Sequence, residues 1–344
     1  MFEKPVIISK PSVVFAENKI SNQEILDKVS DNFEGKDTEL KKVLQGIKMV
    51  FRYCDSNTRY LGTAPDKKPV DYIVEAVHKN LEENKLKPSD IDTVIYAGIY
   101  REYFEPAVAM EVAGKTGIKK AHAFDVTSAC AGMLQSVFVA GSLMQTDPSI
   151  NNVLCCALDF PDICIDYNIQ NFEELATKSA GLTLGSGAAA WVLSRDILNE
   201  AGAKLKAAVN FSLPESYDIC QTPVNGKFIS HNKELFELGR THVPGVIQDT
   251  VSKAGWDLKD VDHFISHQPG KKIIKEIYKK LNVSMKKAPV THHLYGNTVN
   301  ITIPMTLDYL LQNQGIAKGD KIIMTSVAAG FTTVSLAAEW VSNV

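Results

Sequence analysis

A cysteine, a histidine and an asparagine of this sequence occupy turn-like positions from which they could act together on a carbonyl group. Cys130 follows a strand-like run in "HAFDVTSACAGM", His267 ends the apolar run "VDHFISHQ", and Asn297 follows a glycine in "HLYGNTVN". A cysteine thiolate attacks carbonyl carbons, and an imidazole and an amide supply acid–base chemistry and hydrogen bonds. The three residues therefore predict a cysteine nucleophile with an acid–base and donor pair.

Cys130 differs from the other five cysteines in its predicted position. It falls on the first turn of a buried helix, where the helix N-terminus favours an anion and should lower the thiol pKa. Free backbone N–H groups of such a turn can hold a developing oxyanion. The alternative is a buried structural cysteine, and this stays the interpretation of Cys155 and Cys156, which lie within a strand pattern.

The elements that must position these residues alternate between strands and helices. Short apolar runs rich in β-branched residues predict strands at 92–99, 152–160, 188–194, 261–268 and 321–328. Helical patterns lie between them, for example at 69–85 and 245–256, and "FELGRTHVPG" (236–245) is predicted to be a connecting segment. This alternation predicts an α/β fold with largely buried strands.

A weak internal repeat suggests two similar halves. "LKPSDIDTVIYAG" (86–98) and "WDLKDVDHFISHQ" (256–268) each pass from a helix end through an Asp-Ile/Val-Asp turn into an apolar strand. We therefore predict an N-terminal half, residues 1–200, with the nucleophile, and a C-terminal half, residues 201–344, with the histidine and asparagine. Two independent α/β domains could also produce such a repeat by chance.

Composition and charge exclude several classes of function. The chain has 344 residues, 45% of them hydrophobic, and a formal net charge of −3, which gives no support for nucleic-acid binding. No apolar run approaches the roughly 20 residues that span a bilayer, and no signal peptide is recognisable. The cysteines form no C-x-x-C pair, and the adjacent His292–His293 pair lacks metal-ligand spacing. We expect a cytoplasmic protein with no membrane, nucleic-acid or metal partner.

The motifs "SACAGM", "SHQPGKK" and "YGNTVNITIP", in this order, resemble the Cys–His–Asn set of the β-ketoacyl-acyl-carrier-protein (ACP) synthase III group of thiolase-like condensing enzymes. The resemblance extends from about residue 40 to the end and implies a five-layered αβαβα fold of two similar halves. Papain-like proteases also place a histidine 130–150 residues after a cysteine, and His267 lies 137 residues after Cys130. The sequence around Cys130 lacks the protease motif, which disfavours that class.

The resemblance also implies roles for the site residues. Cys130 would take an acyl group from a thioester, and the carbon nucleophile of a second thioester would then attack that group in a Claisen condensation. His267 and Asn297 would bind the carbonyl oxygen of the second substrate and stabilise its enolate. The backbone N–H groups of Cys130 and Ala329 would hold the other oxyanion, although relatives often have glycine where Ala329 stands.

Both substrates would arrive on coenzyme A or on the phosphopantetheine arm of an acyl carrier protein, so no bound cofactor is expected. Two cations are candidates for contact with that phosphate-bearing coenzyme or acidic carrier. Lys272 follows the His267 turn, where relatives often have arginine, and Arg52 resembles the basic segment near the tunnel mouth. For both, the alternative is a solvated surface charge.

Glu105, in "YFEPAVAM", lies 25 residues before Cys130. In priming synthases of the group, this segment carries an apolar residue into the partner subunit's acyl pocket. The head-to-head condensing thiolases of olefin biosynthesis, and the ketosynthases that form α-pyrones or dialkylresorcinol precursors, carry a glutamate there as a general base. Removing an α-proton requires a base, whereas loss of CO₂ from malonyl does not. We expect Glu105 to be partly buried among its aromatic neighbours; the alternative is an exposed loop carboxylate.

The leading hypothesis is a homodimeric acyltransferase that condenses two acyl or β-ketoacyl thioesters in specialised lipid or polyketide biosynthesis. Three alternatives stay open. The first is a priming synthase that uses acyl-CoA and malonyl-ACP. The second is an acyltransferase or thioesterase that passes the acyl group of Cys130 to oxygen, nitrogen or water, and the third is a noncatalytic subunit of a heterodimer.

Overall fold

The computed structural model describes residues 2–343, which form a mixed α/β fold around one large sheet. The strands are β1 (Ile7–Ser9), β2 (Ser12–Phe15), β3 (Asn18–Ser21), β4 (Thr58–Leu61), β5 (Thr93–Tyr96), β6 (His122–Asp125), β7 (Asn152–Asp159), β8 (Gly187–Ser194), β9 (Ala201–Ser212), β10 (Cys220–Gln221), β11 (Ile229–Ser230), β12 (His263–Ser266), β13 (Lys321–Ala328) and β14 (Thr332–Ser342). The helices are α1 (Asn22–Asp31), α2 (Asp37–Cys54), α3 (Pro69–Glu83), α4 (Val108–Lys115), α5 (Gly132–Thr146), α6 (Phe172–Lys178), α7 (Asn232–Lys253), α8 (Lys271–Lys280), α9 (His292–Tyr295) and α10 (Thr302–Asn313).

The strand order of the large sheet is similar on both sides of its centre. From the centre, the strands run β1, β8, β7, β5 and β6 in one direction and β9, β14, β13 and β12 in the other. β5 and β7 are parallel, as are β12 and β13, whereas β7–β8 and β13–β14 are antiparallel. The antiparallel pair β1–β9 joins the two sides. The two stretches that resemble each other in sequence lead into equivalent strands, β5 and β12; the boundary at residue 200 stays a prediction.

Helices cover both faces of the sheet and also lie within the fold. α5 and α10 belong to the central hydrophobic cluster, through residues such as Val137 and Leu307, and are buried between the two sides of the sheet. The outer faces are covered by α3 and α4 on one side and by α7 and α8 on the other. The α5 sequence is mostly apolar and, of its residues, Thr146 alone is exposed, whereas α8 buries one face and exposes lysines. The predicted five-layered αβαβα thiolase fold is confirmed.

The two central helices begin in the same unusual way. A 3₁₀ turn, Ala129–Ala131, precedes α5, and another, Val299–Ile301, precedes α10. The first residue of each turn is left-handed, with φ of 40° at Ala129 and 53° at Val299. Residues other than glycine adopt this conformation at a cost, and such positions cluster at functional sites. The two turns therefore mark equivalent and constrained points of the fold.

The predicted strands at 92–99, 152–160, 188–194, 261–268 and 321–328 coincide with β5, β7, β8, β12 and β13. The predicted connecting segment at 236–245 is wrong, because it lies within α7, a helix of 22 residues that continues through Pro244. Proline and glycine are unfavourable in a helix interior, but the buried side chains of Val243 and Ile247 pack against the sheet and compensate. Among residues 2–343, the structure contains no helix that is both long enough and apolar enough to span a bilayer.

Candidate active site

Cys130, His267 and Asn297 line one cavity of about 1060 Å³. The sequence predicted that the three residues act together, and the structure brings them to the same space from three different elements. The other walls come from residues 99–104 after β5, the β10–β11 hairpin, and the facing sides of α7 and α8. Most of this lining is apolar, with a few polar groups near Cys130, as is typical of small-molecule sites.

The turn that carries Cys130 is held deep in the fold by a close backbone approach. A Cβ atom on Gly132 would lie 2.3 Å from the carbonyl oxygen of Ala97, so only glycine permits α5 to begin at this depth. The hydroxyl of Ser326 donates a hydrogen bond to the carbonyl oxygen of Cys130 at 2.7 Å, which ties the turn to β13. As a result, the thiol is partly accessible from the cavity although the turn lies inside the protein.

Asn297 is oriented by hydrogen bonds to its own turn and to the turn before β8. Its backbone N–H donates to the carbonyl oxygen of Thr183 at 2.8 Å, and its carbonyl oxygen accepts from the N–H of Gly185 at 2.9 Å. Its side-chain oxygen accepts from the N–H of Val299 at 3.1 Å. Because the amide oxygen is engaged in this way, the amide NH₂ group is left to donate to a molecule in the cavity.

His267 follows β12 and is only 6% exposed. Its backbone N–H donates to the carbonyl oxygen of Thr325 at 2.9 Å, whereas its side-chain Nδ1 has no hydrogen-bond partner within the described residues 2–343. The next residue, Gln268, supports the turn, because its carbonyl oxygen accepts from Nδ1 of the buried His292 at 2.7 Å. The imidazole of His267 is therefore held at the cavity wall mainly by backbone contacts.

Glu105 does not line the cavity of its own chain, although residues 99–104 do. Its side chain is exposed, and the side chain of the preceding Phe104 is 82% exposed. The expectation that Glu105 is partly buried among aromatic neighbours is therefore wrong for the single chain. We call Phe104 and Glu105 the tip; Phe104 lines the cavity although most of its side chain is exposed, whereas Glu105 does not line it.

Four sets of contacts brace the segment that ends in the tip. The Tyr96 hydroxyl donates to the carbonyl oxygen of Tyr100 at 2.5 Å, and the Tyr103 hydroxyl donates to the carboxylate of Glu111 on α4. After the tip, the carboxylate of Asp125 accepts from the N–H groups that begin α4, at 2.9 and 3.0 Å. Before it, a carboxylate at the end of β7 accepts from the N–H of Ile99. The segment therefore presents the exposed Phe104 and Glu105 on a backbone that is held on both sides of the tip.

Two family descriptions match the chain and include all three residues of the trio. 3-Oxoacyl-[acyl-carrier-protein] synthase III matches residues 124–212, and the C-terminal part of the same synthase matches residues 251–340. Together the matches cover just over half of the chain. The chain belongs to the 3-oxoacyl-[acyl-carrier-protein] synthase III-like condensing enzymes. Members of this family are acyltransferases, as the sequence motifs predicted.

Two relatives with different names are equally similar to this synthase III-like enzyme. A β-ketoacyl-[acyl-carrier-protein] synthase III of Campylobacter jejuni is 27% identical over 270 residues, which is 76% of this chain and 80% of that protein. An acyl-CoA:acyl-CoA alkyltransferase of Shewanella oneidensis is 27% identical over 291 residues, which is 78% of this chain and 82% of that protein. Sequence identity alone therefore does not separate the two activities.

Solved structures of both kinds share the fold of this synthase III-like enzyme. Xanthomonas campestris OleA, solved with lauric acid and lauroyl-CoA, superimposes with a TM-score of 0.88 at 20% identity, covering 99% of this chain and 100% of its own. The 3-oxoacyl-[acyl-carrier-protein] synthase III of Aquifex aeolicus superimposes with a TM-score of 0.82 at 21% identity, covering 97% and 99%. At these identities, the comparison establishes the fold.

The electrostatics of the trio are dominated by burial. Desolvation raises the pKa of the Cys130 thiol well above its ordinary value, and the nearby Cys220 and Asp159 raise it further. Hydrogen bonds from the backbone N–H groups of Cys130 and Ala329 lower the pKa, but by less. The prediction of a lowered thiol pKa is therefore wrong, because desolvation outweighs the lowering by the backbone N–H groups. Both of these N–H groups therefore lie close to the sulfur, and their predicted role in holding an oxyanion stays a prediction.

The same burial keeps His267 uncharged. Desolvation lowers the pKa of His267 to about 3, with a further decrease from His292 and a partial increase from a hydrogen bond with the Val299 backbone. At neutral pH, the imidazole is therefore a neutral group that can donate one hydrogen bond and accept another. A neutral donor in the same cavity as the amide of Asn297 suits the binding of a carbonyl oxygen.

The two predicted substrate-binding cations lie outside the cavity. The ammonium of Lys272 stands 4.8 Å from the centre of the Tyr53 ring, and Nε of Arg52 donates to the Lys48 carbonyl oxygen at 3.4 Å. Their role in substrate binding stays a prediction. Arg101 does line the cavity. Its position two residues after the strand-like run 92–99 is the signal by which it could have been found.

Gly239 also lines the cavity and was not predicted from the sequence. It lies in the middle of α7, and a Cβ atom there would meet no atom within 4 Å. We expect Gly239→Ala to stabilise the protein by about 0.5–1 kcal/mol, because alanine is the better helix former. Gly239→Leu should slow acylation of Cys130 by long-chain thioesters more than by acetyl-CoA, because its side chain enters the cavity.

The control for this prediction is Gly245→Leu. Gly245 lies in the same helix, also has no atom within 4 Å of a built Cβ, and is exposed away from the cavity. Thermal unfolding and intact-protein mass spectrometry measure the two effects. Equal chain-length dependence in Gly239→Leu and Gly245→Leu would show that the α7 side of the cavity does not hold the acyl chain.

Burial of Cys130 and His267 also predicts a pH profile. We expect the rate of Cys130 alkylation by iodoacetamide to keep rising above pH 9, because the thiol pKa lies above its ordinary value of 9.0. No step is expected near pH 6.5, because His267 stays neutral down to about pH 3. Peptide mapping by mass spectrometry separates Cys130 from the other thiols, with Cys130→Ser as the blank. A plateau reached below pH 8 would contradict the prediction.

Proposed function

We propose that the protein joins two acyl or β-ketoacyl thioesters by a Claisen condensation that needs no decarboxylation. The observation that carries this proposal is the tip, a glutamate presented on a braced segment 25 residues before the nucleophile. Deprotonation of an acyl thioester at its α-carbon requires a base, and the cavity of the single chain receives no carboxylate from Glu105. Glu102 lines the cavity of the single chain with an exposed side chain, and a second copy of the chain would supply Glu105 as the base.

In the first step, the Cys130 sulfur bonds to the carbonyl carbon of an acyl thioester. The oxyanion that forms accepts hydrogen bonds from the backbone N–H groups of Cys130 and Ala329. The bond between the acyl carbon and the carrier sulfur then breaks, and the carrier thiol leaves with the proton that Cys130 gave up. Because the resting thiol is protonated, the substrate must bind before this proton is transferred.

In the second step, the carbonyl oxygen of another thioester accepts hydrogen bonds from Asn297 and His267. The carboxylate of Glu105 from the second copy removes a proton from the α-carbon, and the enolate carbon attacks the acyl group on Cys130. The bond to the Cys130 sulfur breaks, the thiol regains a proton, and a β-ketoacyl thioester remains on the second carrier. The neutral state of His267 favours its action as a hydrogen-bond donor here.

The size of the cavity supports long-chain substrates. Its volume of about 1060 Å³ lies just above the range of about 300–1,000 Å³ that is usual for small-molecule sites. Its walls are mostly apolar, and each methylene group buried there contributes about 0.8 kcal/mol. We propose that the acyl groups are carried on coenzyme A or on an acyl carrier protein and that the protein needs no other cofactor.

A homodimer follows from the same reasoning. The apolar side chains of Phe104 and Met110 are exposed, at 82% and 53%, before and after Glu105 in the sequence, and we propose that a second copy of the chain packs on them. A second copy that covers them would receive Glu105 in its own cavity. The priming reaction with malonyl-ACP is the second candidate function, because a relative of equal identity is a β-ketoacyl-[acyl-carrier-protein] synthase III. In that reaction, Glu105 has no proton to remove.

The first prediction from this proposal concerns Glu105. Glu105→Gln should leave acylation of Cys130 intact and slow condensation by about 10²–10⁴-fold, the usual contribution of a general base. Mass spectrometry follows acylation, and chromatography of the products follows condensation. Glu82→Gln, an exposed carboxylate on α3, is the control. Condensation at the wild-type rate in Glu105→Gln would leave this residue as an ordinary loop carboxylate.

Mixed dimers test whether Glu105 acts across the subunit interface. Co-expressed Glu105→Gln and Cys130→Ala chains, carrying different affinity tags, should recover activity in the mixed dimer although neither homodimer is active. In that dimer, one cavity combines Cys130 with the Glu105 of the partner subunit. An inactive mixed dimer would mean that Glu105 serves the cavity of its own chain.

The second prediction concerns CO₂. With two acyl-CoA substrates, the protein should form a β-keto product without any malonyl thioester. Labelled malonyl-CoA and malonyl-ACP are the comparison substrates. Release of one ¹⁴CO₂ for each product, together with no product from two acyl-CoA molecules, would establish the priming reaction instead.

A further inference from the structure

Asp159, the last residue of β7, is a fully buried carboxylate that the proposed reaction does not use. Within the described residues 2–343, no lysine or arginine forms a salt bridge with it. It accepts hydrogen bonds from backbone N–H groups instead: Oδ1 from Ile99 at 2.9 Å, Oδ2 from Asn300 at 2.8 Å, and a further bond from Ile301.

Each of these donors belongs to an element that shapes the site. Ile99 begins the braced segment that ends in the tip, and Asn300 follows three residues after Asn297. The side chain of Asn300 continues the network, because its oxygen accepts from the N–H of Met133, in the first turn of α5, at 3.2 Å. Asp159 thus connects the tip segment, the Asn297 turn and the nucleophile helix.

Burying the Asp159 carboxylate costs desolvation free energy, so its presence at this position indicates that the carboxylate oxygens are needed there. Burial raises the pKa of Asp159 to about 6, and the N–H donors only partly offset this effect. An apolar side chain would fill the same space without that cost, but the N–H groups of Ile99 and Asn300 would then lack an acceptor. A carboxylate has enough lone pairs to satisfy all of these donors from one point.

We propose that Asp159 is a positioning residue that holds the tip segment and the Asn297 turn in place relative to Cys130, so that its loss impairs condensation more than acylation. This proposal rests on the proposed function, because condensation is the step that we expect to be affected. Acylation depends on Cys130 and Ala329, which other contacts hold, such as the bond from Ser326 to the Cys130 carbonyl. The second step depends on Asn297 and Glu105, which lie on the two elements that Asp159 holds.

Asp159→Asn tests the proposal, because it keeps the shape of the side chain but replaces one acceptor oxygen by an NH₂ donor. One backbone N–H then faces another donor and must move. We expect the second step, measured as loss of the acyl mass from Cys130 after addition of a second thioester, to slow by at least about 10-fold, since misplacement by about 1 Å can cost 10²-fold. Acylation should stay within about 3-fold of wild type, because the groups on which it depends, Cys130 and Ala329, are held by other contacts and should not be misplaced.

A second readout does not depend on the acceptor substrate. The charge of Asp159 contributes to the raised pKa of the Cys130 thiol, together with Cys220, while His267 is neutral. Asp159→Asn should therefore speed alkylation of Cys130 by iodoacetamide at fixed pH. A substitution that only loosened the fold at this point would not be expected to produce faster alkylation together with intact acylation.

Asp92→Asn is the matched control. Asp92 precedes β5 at the opposite end of the same strands, and its Oδ2 accepts from the N–H groups of Asn151 and Asn152 at 2.7 and 2.9 Å. This variant should lower the unfolding temperature without changing the ratio of the second step to acylation. Asp159→Asn should change that ratio whatever its unfolding temperature.

Two results would overturn the proposal: an equal decrease of acylation and second step in Asp159→Asn, or wild-type values of both. The proposed function fails separately, if the wild-type acyl-enzyme is discharged only by malonyl thioesters. In that case, the ratio of the second-step rate to the acylation rate, measured with the malonyl thioester, still decides whether Asp159 positions the tip segment and the Asn297 turn.

Discussion

The close approach between the first residue of α5 and the end of β5 is the constraint on which the site depends. Only a residue without a Cβ can stand at Gly132, because a Cβ atom there would lie 2.3 Å from the carbonyl oxygen of Ala97. This depth brings Cys130 to the wall of the cavity and lets the Asn300 side chain reach the N–H of Met133. A helix that began further out would lose both the access of the thiol and the link to the Asn297 turn.

Much of the fold can be predicted from the sequence because its strands are buried on both faces and carry continuous apolar runs. The strand with Cys155 and Cys156 is an example, since its alternate side chains enter two different hydrophobic clusters. α7 could not be predicted in the same way. Pro244 is a local signal against a helix, and the contacts of Val243 and Ile247 that outweigh it form only when the chain has folded.

The positions of the site residues are more predictable than their electrostatics. A cysteine before an apolar helix and an asparagine after a glycine are local signals, and both residues reach the cavity. The thiol pKa is instead the sum of desolvation and of groups distant in sequence, such as Cys220, and the local helix N-terminus is the smaller contribution. The exposure of Glu105 is equally non-local, because it depends on contacts that hold the segment from both ends.

The two 3₁₀ turns before α5 and α10 are alike in backbone, but only the turn before α5 carries a cysteine that could form a covalent intermediate. Each has a left-handed first residue, and the second residue is Cys130 in one turn and Asn300 in the other. Asn300 thus occupies, in the second half, the place that the nucleophile occupies in the first, and its amide caps the start of the nucleophile's helix. The two turns share a backbone conformation but carry different side chains. In the proposed reaction, only the turn with Cys130 can form a covalent bond to an acyl group. The turn with Asn300 has no nucleophile, so the second substrate would stay attached to its carrier.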